Sequence, residues 1–96
     1  MLVLIVYDTH SSTEEGRRRL MKVARYCELK GKRIQNSVFE CLLGAAAFRE
    51  TRKLLLSLID EHQEKLRFYN LGNSYESRID RIGKQSKDYY ENPIIL

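Results

Sequence analysis

The chain has 96 residues, which predicts a single domain with a modest core that pairing with a second copy would stabilise further. No apolar stretch approaches the roughly 20 residues of a membrane span and no signal peptide begins the chain, so we expect a cytoplasmic protein without a membrane partner. Seventeen Lys and Arg against thirteen Asp and Glu give a net charge of +4, which favours anionic partners, nucleic acid first.

The first eight residues predict a central β-strand that ends in a carboxylate. Six apolar or aromatic residues, Leu2 to Tyr7, run without interruption into Asp8. A run so short and so rich in Val, Ile and Leu is typical of a strand buried on both faces. Asp8 then lies where the chain leaves the sheet, and its carboxylate requires a cation, a helix N-terminus or a backbone donor. It could simply cap the turn into the next helix.

A helix with an unusually basic face follows this strand. Ser12 to Glu15 has the spacing of a capping box, and Gly31 is placed to end the helix as a left-handed cap. The face predicted to be buried consists of Gly16, Leu20, Val23, Ala24 and Cys27. The opposite face carries Arg17, Arg18, Arg19, Lys22, Arg25 and Lys30. A charge cluster is usually just solvated, but this many cations on one helix favour phosphate binding.

The remaining residues predict three more strands and a second helix. Residues 33–42 are extended, with a bend or bulge at 36–37, and residues 65–71 form another strand, while 78–82 could add a short one. The second helix covers about 45–63, with a common face of Phe48, Thr51, Leu55, Leu58, Ile59 and His62. Cys27 and Cys41 are expected to be reduced, buried small hydrophobes.

The order of these elements predicts an α+β fold over residues 1–96. Strand, helix, strand, strand, helix, strand is the ferredoxin-like βαββαβ order, with an antiparallel sheet and both helices on one face. The other sheet face would be bare, so we expect a second copy to cover it and form a homodimer packed through its sheets. The extension at 84–96 ends in the apolar Pro93 to Leu96 and could add to a sheet edge of its own chain or of a partner.

Several blocks of residues resemble one known family in their order and spacing. These are Val6-Tyr7-Asp8, the arginine-rich first helix, Arg33 to Glu40, Arg67 to Tyr69 and Arg81 to Gly83. Together they resemble the small CRISPR adaptation proteins of the Cas-two family over nearly the whole chain. The resemblance implies a ferredoxin-like homodimer packed sheet against sheet, in which residues 84–96 cross to the partner.

The resemblance also implies a function in the acquisition of CRISPR spacers. In this family the dimer bridges integrase subunits and supports a double-stranded DNA duplex. Members are also described as magnesium-dependent endonucleases on single-stranded RNA or double-stranded DNA. The sequence leaves open whether this chain is an enzyme. An alternative, based on the order of elements alone, is a small regulatory ferredoxin-like module that binds a ligand at its dimer interface.

Carried over residue by residue, the resemblance implies one catalytic, metal-binding residue and a set of nucleic-acid contacts. Asp8 is the implied catalytic residue and Mg²⁺ ligand. Because one carboxylate is few ligands for Mg²⁺, a two-fold axis at the end of the first strand would supply a second Asp8. The implied nucleic-acid contacts are Tyr7, Arg17, Arg18, Lys22, Arg33 and Phe39. The chain departs from the family in a longer loop at 9–15 and in Asn36, where an aromatic residue is common.

Overall fold

The computed structural model describes residues 1–9 and 12–83. Its elements are β1 (Leu2–Asp8), α1 (Glu14–Lys30), β2 (Gly31–Gln35), β3 (Val38–Leu42), α2 (Ala45–Leu58) and β4 (Lys65–Asn70). The predicted βαββαβ order is therefore confirmed. The predicted extension at 84–96 lies outside the described residues. No helix in the described part of the chain is both long and apolar enough to span a membrane.

The described strands form one antiparallel sheet in the order β2-β3-β1-β4, which is the ferredoxin-like arrangement. β1 lies in the centre and pairs with β3 on one side and β4 on the other. The pairing of β2 with β3 shifts register between Arg33 and Gln35, just before the turn at 36–37. The irregularity predicted for this part of the chain is thus confirmed, and it separates two strands of the sheet.

Alternate residues of β1 point to opposite faces of the sheet, as strand geometry requires. Val3, Ile5 and Tyr7 are fully buried in a core that α1 and α2 cover. The other members of this core are Leu20, Val23, Ala24 and Cys27 of α1, Phe39 and Cys41 of β3, Leu43, and Leu55 of α2. Both cysteines are free and buried, as predicted. The apolar face of α1 is confirmed residue for residue.

The second face of the sheet, which we call the open face, carries the intervening residues. Leu4, Val6 and Asp8 of β1 lie on it, opposite Glu40 and Val38 of β3. On the side of β1 away from β3, the same three residues are opposite Tyr69, Arg67 and Lys65 of β4. The open face therefore combines an apolar centre with charged residues along its margin.

The two ends of α1 differ from their predictions. The helix is capped by Thr13, one residue after the predicted N-cap Ser12, and the Thr13 hydroxyl accepts the N–H of Gly16 at 3.0 Å. Gly31 is not a left-handed cap, because it is extended (φ −174°) and begins β2. A Cβ at Gly31 would lie 2.1 Å from the Glu40 carbonyl oxygen and 2.7 Å from the Cys41 Cα. Glycine is required here by the close approach of β3.

The second helix ends at Leu58, earlier than predicted. The carbonyl of Asp60 accepts the N–H of Gln63, and its carboxylate accepts the N–H of His62 at 3.1 Å. These local bonds replace helical ones, so Ile59 and His62 do not lie on the helix face assigned to them. The rest of that face is confirmed by the burial or half-burial of Phe48, Thr51, Leu55 and Leu58.

The strand predicted at 78–82 is wrong for the described chain. Residues Tyr75–Arg78 form a short 3-10 helix, and the following residues pair with no described strand. Arg81 instead approaches Glu40 on the open face, with 3.9 Å between Nη2 and Oε1. The Glu40 side chain is only 11 % exposed, so this segment covers part of the open face rather than widening the sheet.

Candidate nucleic-acid interface and metal site

Asp8, the predicted catalytic residue, lies at the margin of the open face beside two cations. It is directly opposite Lys65, and Val6 is opposite Arg67. These four residues, with Tyr7 and Ser37, line a pocket of about 210 Å³, which we call the Asp8 pocket. Asp8, Lys65 and Arg67 are all exposed. The two cations were not predicted as site residues, because they are recognisable only once the register of β4 is known.

The Asp8 pocket offers few ligands for a metal ion. Within residues 1–9 and 12–83 no three His, Cys, Asp or Glu side chains lie close enough to share an ion. Mg²⁺ keeps several waters and is commonly held by one or two carboxylates. The donor set of one chain therefore suits a weak and largely hydrated site, and a second Asp8 from another copy would complete the usual pair.

The alternative structural role of Asp8, capping the first helix, is not what the described residues show. Thr13 occupies the N-cap position and accepts the backbone N–H that a cap must satisfy. The Asp8 carboxylate has no hydrogen-bond or ion-pair partner in the described part of the chain. It is thus free to meet a cation or another ligand at the surface.

A buried carboxylate that no sequence motif singles out fixes the residues on both sides of Asp8. Glu64 accepts hydrogen bonds from the Tyr7 hydroxyl at 2.6 Å and from the Thr9 hydroxyl. It also accepts from the Asp60 N–H at 2.8 Å and from the Arg19 guanidinium at 2.9 Å. The Glu64 side chain is fully buried, so these four donors replace its hydration.

The electrostatics of this network follow from its donors. Burial raises the pKa of Glu64, but the Asp60 N–H, the Thr9 and Tyr7 hydroxyls and Arg19 outweigh burial and lower that pKa to about 2. Burial, assisted by the hydrogen bond to Glu64, raises the pKa of Tyr7 to about 12. Glu64 is therefore an anion and Tyr7 a neutral donor throughout the physiological range.

Two of the predicted nucleic-acid contacts are core residues in this structure. Tyr7 and Phe39 are both fully buried on the helix side of the sheet. The guanidinium carbon of Arg33 lies 5.8 Å from the centroid of the Phe39 ring, so an arginine covers that ring from outside. Neither aromatic ring reaches a surface that a nucleic acid could touch, and we leave both out of the interface.

The basic residues of α1 divide into three groups that point in different directions. Arg19 points inward to Glu64 and is structural. Arg18 and Lys22 are exposed, and Arg18 forms an ion pair with Glu14 at 2.9 Å. Arg17 and Arg25, also exposed, lie beside the turn between β2 and β3. The six predicted residues therefore do not form one exposed face, because Arg17, Arg18, Lys22 and Arg25 are exposed whereas Arg19 and Lys30 are half-buried.

Arg17 and Arg33 both line a groove between α1 and the β2–β3 turn. This α1–hairpin groove, of about 490 Å³, is lined by Arg17, Leu20, Met21, Ala24, Arg25, Glu28, Arg33 and Asn36. Arg33 donates to the Asn36 carbonyl at 2.6 and 2.9 Å, so part of its guanidinium is occupied. Arg17 and Arg25 have no such partner among the described residues. Guanidinium groups around an apolar floor suit the phosphates of a nucleic-acid chain.

The structure does not bring Asp8 and the predicted basic contacts together within one chain. Arg33 is opposite Phe39 on the helix side of the sheet, and the α1–hairpin groove lies on that side. Asp8 lies on the open face, together with Lys65 and Arg67. The α1–hairpin groove and Asp8 of the same chain therefore lie on opposite faces of the sheet.

Comparisons with known proteins agree on one family. The family model described as CRISPR associated protein Cas2 matches residues 1–79. A relative from Halalkalibacterium halodurans, named CRISPR-associated endonuclease Cas2, is 44% identical over 96 residues, 100% of both chains. One from Chlorobaculum tepidum, named CRISPR-associated endoribonuclease Cas2, is 40% identical over the same length, again 100% of both. The crystal structure of Streptococcus pyogenes Cas2 superposes with a TM-score of 0.78 at 42% identity, covering 86% of this chain and 100% of that one.

Proposed function

The chain belongs to the CRISPR-associated protein Cas2 family, and from this premise we propose that it acts in spacer acquisition as a nucleic-acid-binding homodimer. The dimer would pack through the open faces of two sheets and bridge the subunits of the CRISPR integrase. The apolar centre of the open face, formed by Leu4, Val6 and Val38, supports such packing because these side chains are only half-buried in one chain.

Nucleic-acid binding is assigned to the exposed cations on the helix side of the molecule. Arg17 and Arg33 border the α1–hairpin groove, and Arg18 and Lys22 lie on the adjoining surface of α1. The observation that carries this assignment is that Arg17 and Lys22 are exposed and have no carboxylate partner among the described residues. When surface cations neutralise phosphates, the counterions condensed on the nucleic acid are released. This release drives binding to double-stranded DNA or single-stranded RNA.

A magnesium-dependent endonuclease activity is the second part of the proposal. The names of the relatives, endonuclease and endoribonuclease, support it. Asp8 from each of two chains would hold Mg²⁺, which when bound would neutralise charge developing on a phosphodiester. The regulatory-module alternative was motivated by the order of elements alone, and family membership leaves it without support.

The test compares two pairs of neutral substitutions that remove the same charge. Arg17→Gln with Lys22→Gln is expected to weaken duplex binding about tenfold and to reduce the salt dependence by about 2 in log–log slope. Arg52→Gln with Lys53→Gln, exposed cations of α2, should change neither. Equal losses in both pairs would contradict the assignment of the binding surface.

Cleavage is measured on the same preparations with labelled RNA and duplex DNA in the presence of Mg²⁺. Asp8→Asn is expected to abolish cleavage while the protein stays folded. Equal cleavage by wild type and Asp8→Asn would identify a contaminating nuclease. Absence of cleavage in both would leave nucleic-acid binding as the function and remove the endonuclease from the proposal.

A further inference from the structure

The described residues that line the Asp8 pocket carry two positive charges, on Lys65 and Arg67, and one negative charge, on Asp8. In an antiparallel pair, residues directly opposite each other project to the same face with their Cβ atoms about 5 Å apart. Asp8 with Lys65 and Val6 with Arg67 are such pairs. Two cations of β4 therefore flank one carboxylate on the open face.

Neither of these two side chains is held by another side chain in the described part of the protein. The side chains of Lys65 and Arg67 form no hydrogen bond or ion pair within residues 1–9 and 12–83. By contrast, Arg18 and Arg19 are held by carboxylates, and Arg33 by the carbonyl of Asn36. Lys65 and Arg67 could serve only to keep the edge strand β4 soluble. That role does not require them to line a pocket with Asp8.

The size of the pocket indicates what it can hold. Its volume of about 210 Å³ is below the roughly 300–1,000 Å³ of pockets that enclose whole small molecules. A water occupies about 30 Å³, so the pocket has room for one phosphate group with a few waters. An arginine and a lysine on one side are the donors that bind a phosphate.

We propose that Lys65 and Arg67 bind a phosphodiester group of a nucleic-acid strand and position it beside the Asp8 carboxylate. The proposal deepens, and rests on, the function proposed above for Asp8. Asp8 alone would repel a phosphate, and the two cations of β4 outweigh that repulsion. Lys65 and Arg67 are positioning residues, since they bring the phosphate to Asp8 without taking part in bond breaking.

Binding is measured in EDTA, so that it does not depend on a metal ion or on cleavage. The probes are a labelled single-stranded RNA and a labelled DNA duplex. Lys65→Gln with Arg67→Gln is expected to weaken binding of at least one probe about tenfold, with a salt slope smaller by about 2. The matched control, Arg52→Gln with Lys53→Gln, removes the same charge from the helix side and should leave both unchanged.

A second pair of measurements distinguishes a local phosphate site from a general loss of charge. Asp8→Asn should tighten EDTA binding about threefold when Lys65 and Arg67 are present, because it removes a charge that repels the phosphate. The same substitution should have no effect in the Lys65→Gln, Arg67→Gln background. The proposal would be overturned if Lys65→Gln with Arg67→Gln weakened binding no more than twofold relative to the Arg52→Gln, Lys53→Gln control. It would also be overturned if Asp8→Asn changed binding equally with and without Lys65 and Arg67.

The phosphate site and the endonuclease activity can fail independently in these experiments. If wild type cleaves neither probe with Mg²⁺, the nuclease proposal fails, but binding in EDTA still decides whether the phosphate site exists. If wild type cleaves, Arg67→Lys should raise KM more than it lowers kcat, because a lysine keeps the charge and loses bidentate binding. A fall in kcat with unchanged KM would contradict a positioning role.

Discussion

At the scale of single residues, Glu64 is the side chain on which the surroundings of Asp8 depend. It accepts the hydroxyls of Tyr7 and Thr9, the neighbours of Asp8 on either side. It also joins α1 to the start of β4 through Arg19. Four hydrogen bonds compensate the cost of burying the Glu64 carboxylate. Removing its charge leaves some of these donors without an acceptor. The backbone position of Asp8 is therefore set from the opposite face of the sheet.

Glu64→Gln is expected to lower the free energy of unfolding by about 3 kcal/mol at pH 7, because an amide nitrogen cannot accept hydrogen bonds from Thr9 and Arg19. The pKa of Glu64 is lowered to about 2, from about 4.5, so its contribution is present above pH 5 and lost as pH falls towards 2. Urea unfolding of wild type between pH 7 and pH 2 should show this loss, and Glu64→Gln should show a flatter profile.

The control for this prediction is Glu61→Gln, which changes an exposed carboxylate three residues earlier. It should leave both the free energy of unfolding and its pH profile within about 0.5 kcal/mol of wild type. If Glu64→Gln does not fold, Thr9→Val removes one of the four donors and should cost about 1 kcal/mol. Parallel pH profiles for wild type and Glu64→Gln would contradict the role assigned to the network.

The sequence allows the place of Asp8 to be predicted but not its neighbours. An apolar run followed by one acid specifies a strand end whatever the fold. The family resemblance places Tyr7 at the same site, but adjacent residues of a strand point to opposite faces, and Tyr7 lies in the core. Lys65 and Arg67 could not be found, since only the register of β1 with β4 brings them to Asp8. Glu64 lies beyond a helix end whose position depends on the bonds around Asp60.

At the scale of elements, the basic surface of α1 shows where periodicity stops being informative. Helical spacing correctly separates the buried face from the charged one. It cannot tell which cations face a neighbouring element, and that depends on packing. Arg19 is turned towards β4 and Arg17 towards the β2–β3 turn, so one charged face contributes to two different parts of the molecule.

The junction between α1 and β2 provides a prediction at this scale. Gly31→Ala would place a Cβ 2.1 Å from the Glu40 carbonyl and 2.8 Å from the Cys41 sulfur. Since the carbonyl belongs to the backbone of β3, the two strands must separate to relieve the contact. We expect a loss of about 3 kcal/mol or more, measured by thermal unfolding.

Gly44→Ala is the matched glycine variant. Gly44 has a φ of −77°, and no atom lies within 4 Å of the Cβ that alanine would add. Only a weaker N-cap for α2 is expected, at a cost of about 1 kcal/mol or less. Similar losses at the two glycines would show that the close approach of β3 is not what excludes a side chain at Gly31.

At the scale of the whole molecule, the two faces of the sheet are used differently. The helix side contains the core and the exposed cations assigned to nucleic-acid binding. The open face contains Asp8 and a half-buried apolar centre, part of which is covered where Arg81 meets Glu40. The fold order and the burial of the helix side of β1 could be predicted from the sequence, whereas Leu4 and Val6 are only half-buried in one chain. The path of 75–83 could not, since it follows contacts between residues distant in the chain.

The proposed dimer makes a prediction that separates the open face from the rest of the surface. Leu4 is half-buried at the centre of that face, opposite Glu40. With Leu4→Lys the long side chain can extend its ammonium group to water in a single chain, but a dimer packed through this face must bury the charge. We expect the dimer dissociation constant to rise about 100-fold in sedimentation equilibrium. Leu29→Lys, at a side chain 72% exposed on α1, should leave the dimer intact.

The same two variants test whether the endonuclease site is shared between chains. Among the described residues, one chain contributes a single carboxylate to the Asp8 pocket, so Mg²⁺-dependent cleavage should decrease with the dimer population in Leu4→Lys. It should return as the protein concentration is raised above the new dissociation constant, because mass action restores the dimer without changing Asp8. Cleavage that is independent of concentration in Leu4→Lys would place the complete site within one chain, and an unchanged dimer would place the interface on another surface.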